Sequence, residues 1–285
     1  MAFSVNTNVG AMTALQSLNA TTRALSTTQS RINSGMNVSS TKDDSASYTI
    51  AQDLRSNLSG LKAVTSSLNN AKSVTDVAIA GAEQISDVIN QMKGLATQAS
   101  DKGATDASRT AYNKDFEALR DQITTIVNSS DFNGANLLKT SGGSVSALQS
   151  LNSAGSGSGY TPDTLSVANQ GMSLATSGAS GKLTTSSSIS SFSGATAMVT
   201  TLTKYQDELK GKLSTLGAAS RKIDSQLSFT SKLSDVVEAG IGNLVDADLA
   251  KESAKLTALQ TKQQLGVQAL SIANQAPQTI TSLFR

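Results

Sequence analysis

Apolar residues in the first part of the chain recur every seven positions. The members of this heptad row are Ala11, Leu18, Leu25 and Ile32. Leu15 lies alongside the row, whereas Thr22 and Gln29 weaken a second row. A repeat of this kind predicts a helix that packs against a second helix, as in a coiled coil. We expect the helix to end near Gly35, because glycine readily adopts the left-handed conformation of a helix C-cap.

A longer helical pattern extends from Asp44 to Ser100 and contains no proline. Its apolar residues recur mostly every three or four positions, which predicts an α-helix with one apolar face. At a rise of ~1.5 Å per residue, this helix would be ~85 Å long. A third helix is predicted after Gly103. The residues expected to pack between these helices are Leu54, Leu61, Leu68, Ile85, Tyr112 and Phe116.

The middle of the chain has a different composition. Asn133-Gly134 predicts a tight turn that starts a β-hairpin. Roughly half of residues 140–195 are glycine or serine. Such a segment is either a long linker or a set of short strands, and Leu165 and Val167 favour strands.

Helical periodicity resumes between Met198 and Leu244, where Leu209, Leu216 and Ile223 are expected to pack against the earlier helices. The last segment again contains heptads. One row consists of Leu249, Leu256, Gln263 and Leu270, and the other of Leu259, Gly266, Ala273 and Ile280. Pro277 is expected to kink or end this helix, because proline lacks the N–H that a helix interior needs. Ile280, Leu283 and Phe284 would then form an apolar tail.

These patterns predict a mostly α fold, a long antiparallel helical rod or bundle. Its terminal helices pair as a coiled coil, and the centre adds a β-hairpin and a small, Gly/Ser-rich, partly β segment. The predicted segments are 1–42 (terminal helix and loop), 43–139 (long helices and hairpin), 140–195 (central segment), 196–244 (long helix) and 245–285 (terminal helix).

The 285 residues include no His, Cys or Trp, and the net charge is +2. These absences exclude thiol nucleophiles, disulfides, Ser-His-Asp triads and the common zinc sites. We therefore expect no catalytic residues, no metal and no cofactor. The even charge balance argues against nucleic-acid binding. Since no window of 18 uncharged apolar residues occurs, membrane insertion is not expected.

Three acidic or basic features have alternative interpretations. Asp43-Asp44 and Asp246-Ala247-Asp248 could hold a metal, but we expect them to cap the helices that follow. Arg31 is either a solvated flank of the coiled coil or a salt-bridge partner for another copy.

A single pair of terminal helices buries little apolar surface, and short isolated helix pairs are marginally stable. One interpretation is a long intramolecular bundle with frayed ends. The other is a polymer subunit whose terminal helices become ordered on assembly, when other copies cover their exposed apolar residues.

Several short motifs at both ends of the chain resemble bacterial flagellins. They are Met1-Ala2, Asn6-Thr7-Asn8, Arg31-Ile32-Asn33-Ser34-Gly35, Lys42-Asp43-Asp44, Leu95-Ala96-Thr97-Gln98-Ala99, Asp131-Phe132-Asn133-Gly134, Asp246-Ala247-Asp248-Leu249-Ala250-Lys251-Glu252 and Asn274-Gln275-Ala276-Pro277-Gln278. Each motif is weak alone, but their order and spacing are specific. The resemblance extends over about residues 1–138 and 196–285.

The resemblance implies an exported, self-assembling subunit of the extracellular flagellar filament, which serves swimming motility. In flagellins the terminal helices form an inner tube and the next helices surround it. The inner-tube residues expected here are Ala11, Leu18, Leu25, Ile32, Leu249, Leu256, Leu259, Leu270, Ile280, Leu283 and Phe284. The short 140–195 segment implies a short flagellin with a reduced variable region.

The partners implied are other copies of the chain, the flagellar cap and hook-junction proteins, the type III export apparatus and an export chaperone. Many flagellins are also recognised by an animal innate immune receptor, at a face that corresponds here to Gln91, Leu95 and Asp115. The arginine usual at that face is Gln91 here, which implies weak detection. The alternatives are a hook–filament junction protein, which shares the terminal helices, and a cytosolic coiled-coil scaffold.

Overall fold

The computed structural model describes residues 7–153, 162–175 and 183–283, of which residues 152, 153 and 276–283 are described by their backbone alone. Over these residues the fold consists of five helices and one two-stranded sheet. Their bounds are α1 Val9–Ser34, α2 Ser45–Ala99, α3 Asp106–Ser129, β1 Val145–Ser153, β2 Pro162–Val167, α4 Phe192–Val245 and α5 Leu249–Leu283. The predicted mostly α fold is confirmed.

Three of the helix caps that the sequence predicts are present, at Gly35, Asp44 and Asp248. Gly35 follows α1 with a φ of 70°, in the left-handed region. Asp44 Oδ1 accepts hydrogen bonds from the backbone N–H groups of Ala46 and Ser47 and so caps α2. Asp248 Oδ1 accepts from the Lys251 N–H at 3.1 Å and caps α5 in the same way.

Asp43 differs from its neighbour because it closes the preceding loop rather than capping a helix. Its Oδ2 accepts from the backbone N–H and the hydroxyl of both Ser39 and Ser40, at 3.0–3.1 Å. These hydrogen bonds, above all those from Ser39, hold the pKa of Asp43 below its usual value.

The helices contribute to two compact units, one built from residues up to 58 and from 235 onwards, the other from residues 59–234. In the first unit, α1 and α5 pack antiparallel. A short main-chain bridge joins the loop after α1 to the start of α5, since Ala247 N–H donates to the Gly35 carbonyl at 2.9 Å. Beside this bridge a small core is formed by Val38, Ala51, Ile241 and Val245.

The second unit has the larger core, in which α2, α3 and α4 bury their apolar faces. β1 and β2 pair antiparallel, with Val145 opposite Val167, and they bury Ala147, Leu165 and Val167 against the helices. Short strands are therefore present in the described part of the central segment. Asn133 and Gly134 form the predicted tight turn with φ of 52° and 80°, but only the single bridge between Phe132 and Ala135 flanks it.

Pro277 does not end the last helix, so that part of the prediction was wrong. The helix continues to Leu283. Proline cannot donate to the carbonyl four residues before it, which is that of Ala273. The Asn8 side chain supplies the missing donor, because its Nδ2 bonds the Ala273 carbonyl at 2.7 Å. Asn8 also caps α1, since its Oδ1 accepts from the Ala11 N–H at 3.0 Å, so one side chain caps α1 and replaces the hydrogen bond that Pro277 removes from α5.

Substitution of glycine by alanine is expected to have opposite effects on stability at two positions of α2. A Cβ at Gly81 would lie 3.2 Å from Ser130 Cβ and 2.8 Å from Leu138 Cδ1, whereas a Cβ at Gly94 would meet no atom within 4 Å. We expect Gly81→Ala to lower the free energy of unfolding by about 1–3 kcal/mol through overpacking. Gly94→Ala should raise it by about 0.5–1 kcal/mol through helix propensity. Chemical denaturation measures both, and equal effects would contradict the packing described.

Candidate assembly surface

The α1–α5 pair brings the two predicted heptad rows together. Leu18 packs over Gly266, where a Cβ would lie 3.8 Å from Leu18 Cβ and 3.3 Å from Leu18 Cδ1. The absence of a side chain at Gly266 therefore makes room for the leucine. The predicted inner-tube residues that are half-buried in this pair are Ala11, Leu18, Leu25, Ile32, Leu256, Leu259 and Leu270.

The remaining predicted inner-tube residues lie elsewhere. Leu249 is exposed at the first turn of α5. Ile280 and Leu283 belong to the last turns of α5, beyond the residues whose side chains are described, and Phe284 lies outside the described residues.

The second row of α1 residues that faces α5 differs from the row predicted from the sequence. Leu15 is 48% exposed, and Thr22 and Gln29 are exposed as well. The residues that face α5 instead are the preceding ones in each heptad, Ala14, Thr21 and Thr28. Thr28 is fully buried. The prediction that Leu15 accompanies the row was wrong, because α1 turns toward α5 the side that carries Thr28 and Arg31.

An ionic cluster around the buried Glu252 lies on that side of α1. Arg31 Nη1 lies 3.6 Å from Glu252 Oε1, and Lys255 Nζ lies 3.5 Å from the same oxygen. Glu252 is only 8% exposed. Arg31 therefore has an ion-pair partner within its own chain, which neither interpretation from sequence included.

The ionisation of Glu252 reflects opposing effects. Burial raises its pKa, but the neighbouring Thr28 hydroxyl, which lies outside hydrogen-bond geometry, lowers it, as do Lys255 and Arg31. The balance holds the pKa of Glu252 below its ordinary value. The sequence contained a signal for this residue, since Glu252 stands seven positions before Leu259 in its heptad row.

Several large apolar side chains of the pair are left exposed. We call them the outer apolar residues; they are Val9, Met12, Leu15, Leu265, Val267 and Ile272. Ile272 is 69% exposed. Gly10 lies beside Ala273, so the residues near the start of α1 and those in the C-terminal part of α5 belong to the same half of the pair. This half carries an uncovered apolar surface of the kind that marks an interface.

The residues predicted to pack between the long helices are all fully or partly buried. Leu54 belongs to the small core of the first unit, and the others lie in the second unit. Those that are buried are Leu61, Leu68, Ile85, Phe116, Leu209, Leu216 and Ile223, and Leu54 and Tyr112 are half-buried.

Gln91, Leu95 and Asp115 lie together on the second unit. They line one shallow groove between α2 and α3, whose other lining residues include Gly94, Gln98 and Leu119. Gln91 and Asp115 are exposed, and Leu95 is half-buried.

Among the residues that the structure describes, no three acidic side chains are placed to share a metal ion. None of the described helices is both long and apolar enough to cross a membrane.

The lowered pKa of Glu252 predicts a pH-dependent contribution to stability. A carboxylate whose pKa falls on folding stabilises the fold fully above its unfolded pKa of ~4.3, and this contribution is lost as the pH falls through the lowered folded value. We expect Glu252→Gln to lower the melting temperature at about pH 7, and we expect this effect to shrink as the pH falls below ~4.3 and through the lowered pKa of the folded state. Thermal unfolding by circular dichroism measures the difference. A difference that does not vary with pH would contradict the ionic role of Glu252.

Comparison with known proteins assigns the chain to a family. Residues 5–143 match the family profile described as bacterial flagellin N-terminal helical region, and residues 199–284 match the bacterial flagellin C-terminal helical region. The chain is 44% identical over 283 residues to flagellin FljK of Caulobacter vibrioides, covering 99% of this chain and 98% of that protein.

A more distant relative points to the same family. The chain is 34% identical to a flagellin of Brucella melitensis, covering 99% of both chains. The crystal structure of Bacillus cereus flagellin aligns with 56% of this chain and 86% of that one, with a TM-score of 0.46 and 22% identity.

The family profiles and the full-length relatives identify a structural protein rather than an enzyme, and nothing among them points to a hook-junction protein. The chain therefore belongs to the bacterial flagellin family and is a short flagellin, a subunit of the extracellular flagellar filament.

Proposed function

We propose that the filament assembles by burying the outer apolar residues of α1 and α5 against neighbouring copies. The observation that carries this proposal is the exposure of these side chains on the two helices nearest the chain ends. Removing apolar surface from water is favourable by about 25 cal/mol per Å², which offsets the entropy lost when the chain ends become ordered. Contacts that do not close into a ring then generate a helical polymer.

In this proposal the α1–α5 pair forms the inner tube of the filament. The heptad rows that hold the pair together supply its packing, and the tail with Ile280, Leu283 and Phe284 extends the contact between copies. The packed helices of residues 43–139 and 196–244 would surround the tube, and the central segment 140–195 would face outward. The position of these segments in the family supports this arrangement.

The remaining partners are those that membership of the flagellin family implies. We infer that the chain leaves the cell through the type III export apparatus with the help of an export chaperone, and that it meets the cap and hook-junction proteins outside. The absence of cysteine is consistent with export of an unfolded chain, because no disulfide has to be reduced first.

A charge on the outer apolar residues should block assembly without unfolding the subunit. We expect Ile272→Asp to abolish sedimentable filaments, because Ile272 is exposed in the single chain but would be buried in the polymer. The matched control is Lys262→Asp, which places the same carboxylate at an exposed polar position of α5. Ultracentrifugation after seeding measures both variants. Normal filaments from Ile272→Asp would refute the proposed surface.

We also propose that the animal flagellin receptor detects this chain weakly. The groove between α2 and α3 presents Gln91 where an arginine would offer five donors and a positive charge. We expect Gln91→Arg to raise the activation of a receptor reporter by depolymerised protein at least several-fold. Gln52→Arg, the same substitution at an exposed position of α2 outside the groove, is the control for added charge. Strong activation by the unmodified chain would contradict this proposal.

A further inference from the structure

The side of α1 that faces α5 carries the heptad row of Leu18 and, beside it, the half-buried Ala14 and Thr21 and the buried Thr28. The other flank of this row is exposed and begins with Leu15. At this first position, burial of apolar surface would favour a rotation of α1 that places Leu15 rather than Ala14 against α5. The observed orientation therefore needs an interaction that holds the flank of Thr28 inside.

The cluster of Thr28, Arg31 and Glu252 is the feature that such a rotation would break. Thr28 and Arg31 stand three residues apart on the buried side of α1, and Glu252 is the only acidic residue in α5. One residue along a helix corresponds to a turn of about 100°, so exchanging one flank of the Leu18 row for the other takes about half of that, ~50°. A rotation of this size would move Arg31 away from Glu252 and leave the buried carboxylate without its partner on α1, which is strongly unfavourable.

The cluster is poorly suited to a purely stabilising role. Thr28 Oγ1, Arg31 Nε and Glu252 Oε2 are buried and make no hydrogen bond within the described residues. Unpaired buried polar atoms cost free energy, and apolar replacements of buried ion pairs are often neutral or stabilising. Polar residues inside a helix pair are known instead to select one arrangement at a cost in stability.

Other contacts fix the axial register but leave the rotation less constrained. The bridge between Gly35 and Ala247 sets which residues of α1 and α5 lie side by side at one end, and the hydrogen bond from Asn8 to the Ala273 carbonyl does so at the other. Gly35 itself, with its positive φ, is a permissive joint at the end of α1. The rotation of α1 about its own axis therefore depends on side-chain contacts further along the helix.

We propose that Thr28, Arg31 and Glu252 are specificity residues that fix the rotation of α1 against α5 and so keep Leu15 on the outside with Val9 and Met12. These three apolar side chains then form a strip on α1 that a second copy of the chain covers. The assignment of this strip as an interface rests on the proposed assembly surface. The rotation of α1 does not, because it is a property of the single helix pair.

Two engineered cysteine pairs report the rotation, and the absence of native cysteine leaves no background. A Cβ added at Gly266 would lie 3.8 Å from Leu18 Cβ, and one added at Gly10 would lie 4.0 Å from Ala273 Cβ. Both separations suit a disulfide. Leu18 belongs to the row that faces α5 in either rotation. Gly10 belongs to the heptad row of Arg31, which would turn away.

The experiment oxidises Leu18→Cys/Gly266→Cys and Gly10→Cys/Ala273→Cys proteins under polymerising conditions and quantifies the disulfides by mass spectrometry. Mixed isotope labelling separates bonds within one chain from bonds between copies. Without further changes both disulfides should form within the chain. With Glu252→Leu we expect the 18–266 bond to persist and the 10–273 bond to fall about tenfold, the effect of ~1.4 kcal/mol on the rotational equilibrium.

A second substitution tests the cause. Leu15→Ala added to Glu252→Leu should restore the 10–273 bond, because it removes the side chain whose burial drives the rotation. Lys262→Leu, which adds the same apolar residue at an exposed position, should leave both bonds unchanged.

Retention of both disulfides in Glu252→Leu would overturn the proposal, since the rotation would then not depend on the cluster. Loss of the 18–266 bond, alone or with the other, would also overturn it, because the cluster would then hold the helices together rather than orient them. If the unsubstituted protein does not form sedimentable filaments, the proposed assembly surface fails instead. The disulfide pattern still tests the rotation of α1 in that case, because the rotation is a property of the single helix pair.

Discussion

The pairing of α1 with α5 is the contact on which the properties of this subunit depend. It is a helix pair with small and polar residues at several facing positions, such as Gly266, Thr21 and Gln263. Such a pair buries too little apolar surface to be highly stable alone. The same pair leaves large apolar side chains uncovered near the chain ends. A weak internal contact and an exposed apolar surface together favour a helix pair that is completed by other copies.

The second unit, in contrast, buries a large apolar core within the single chain. Its three helices surround a continuous core in which Leu68, Ile85 and Phe116 are fully buried, and a β-hairpin covers part of that core. The glycines of α2 allow the close contacts, as at Gly60, where the side chain of Leu151 occupies the space that a Cβ would need. This unit can hold its fold in the single chain. The terminal helices can therefore take part in polymerisation without unfolding the rest of the subunit.

The sequence predicted those parts of the structure that depend on local spacing. The helices and the first heptad row follow from which residues stand three, four or seven positions apart, and the caps at Gly35 and Asp44 follow from the residue types at the helix ends. It did not predict the rotation of α1, because Leu15 is more apolar than Ala14 and the decisive partner, Glu252, lies more than two hundred positions away in the chain. The continuation of α5 through Pro277 was missed for the same reason, since the compensating donor is the distant Asn8.

Amide hydrogen exchange, compared between the monomer and the assembled filament, tests the central claim most directly. If other copies complete the α1–α5 pair, amides around Leu18 and Leu256 should exchange quickly in the monomer and become strongly protected in the filament. Amides in the core of the second unit, such as those around Ile85, should be protected in both states. Equal protection at Leu18 and Leu256 in monomer and filament would contradict the claim that assembly completes this helix pair.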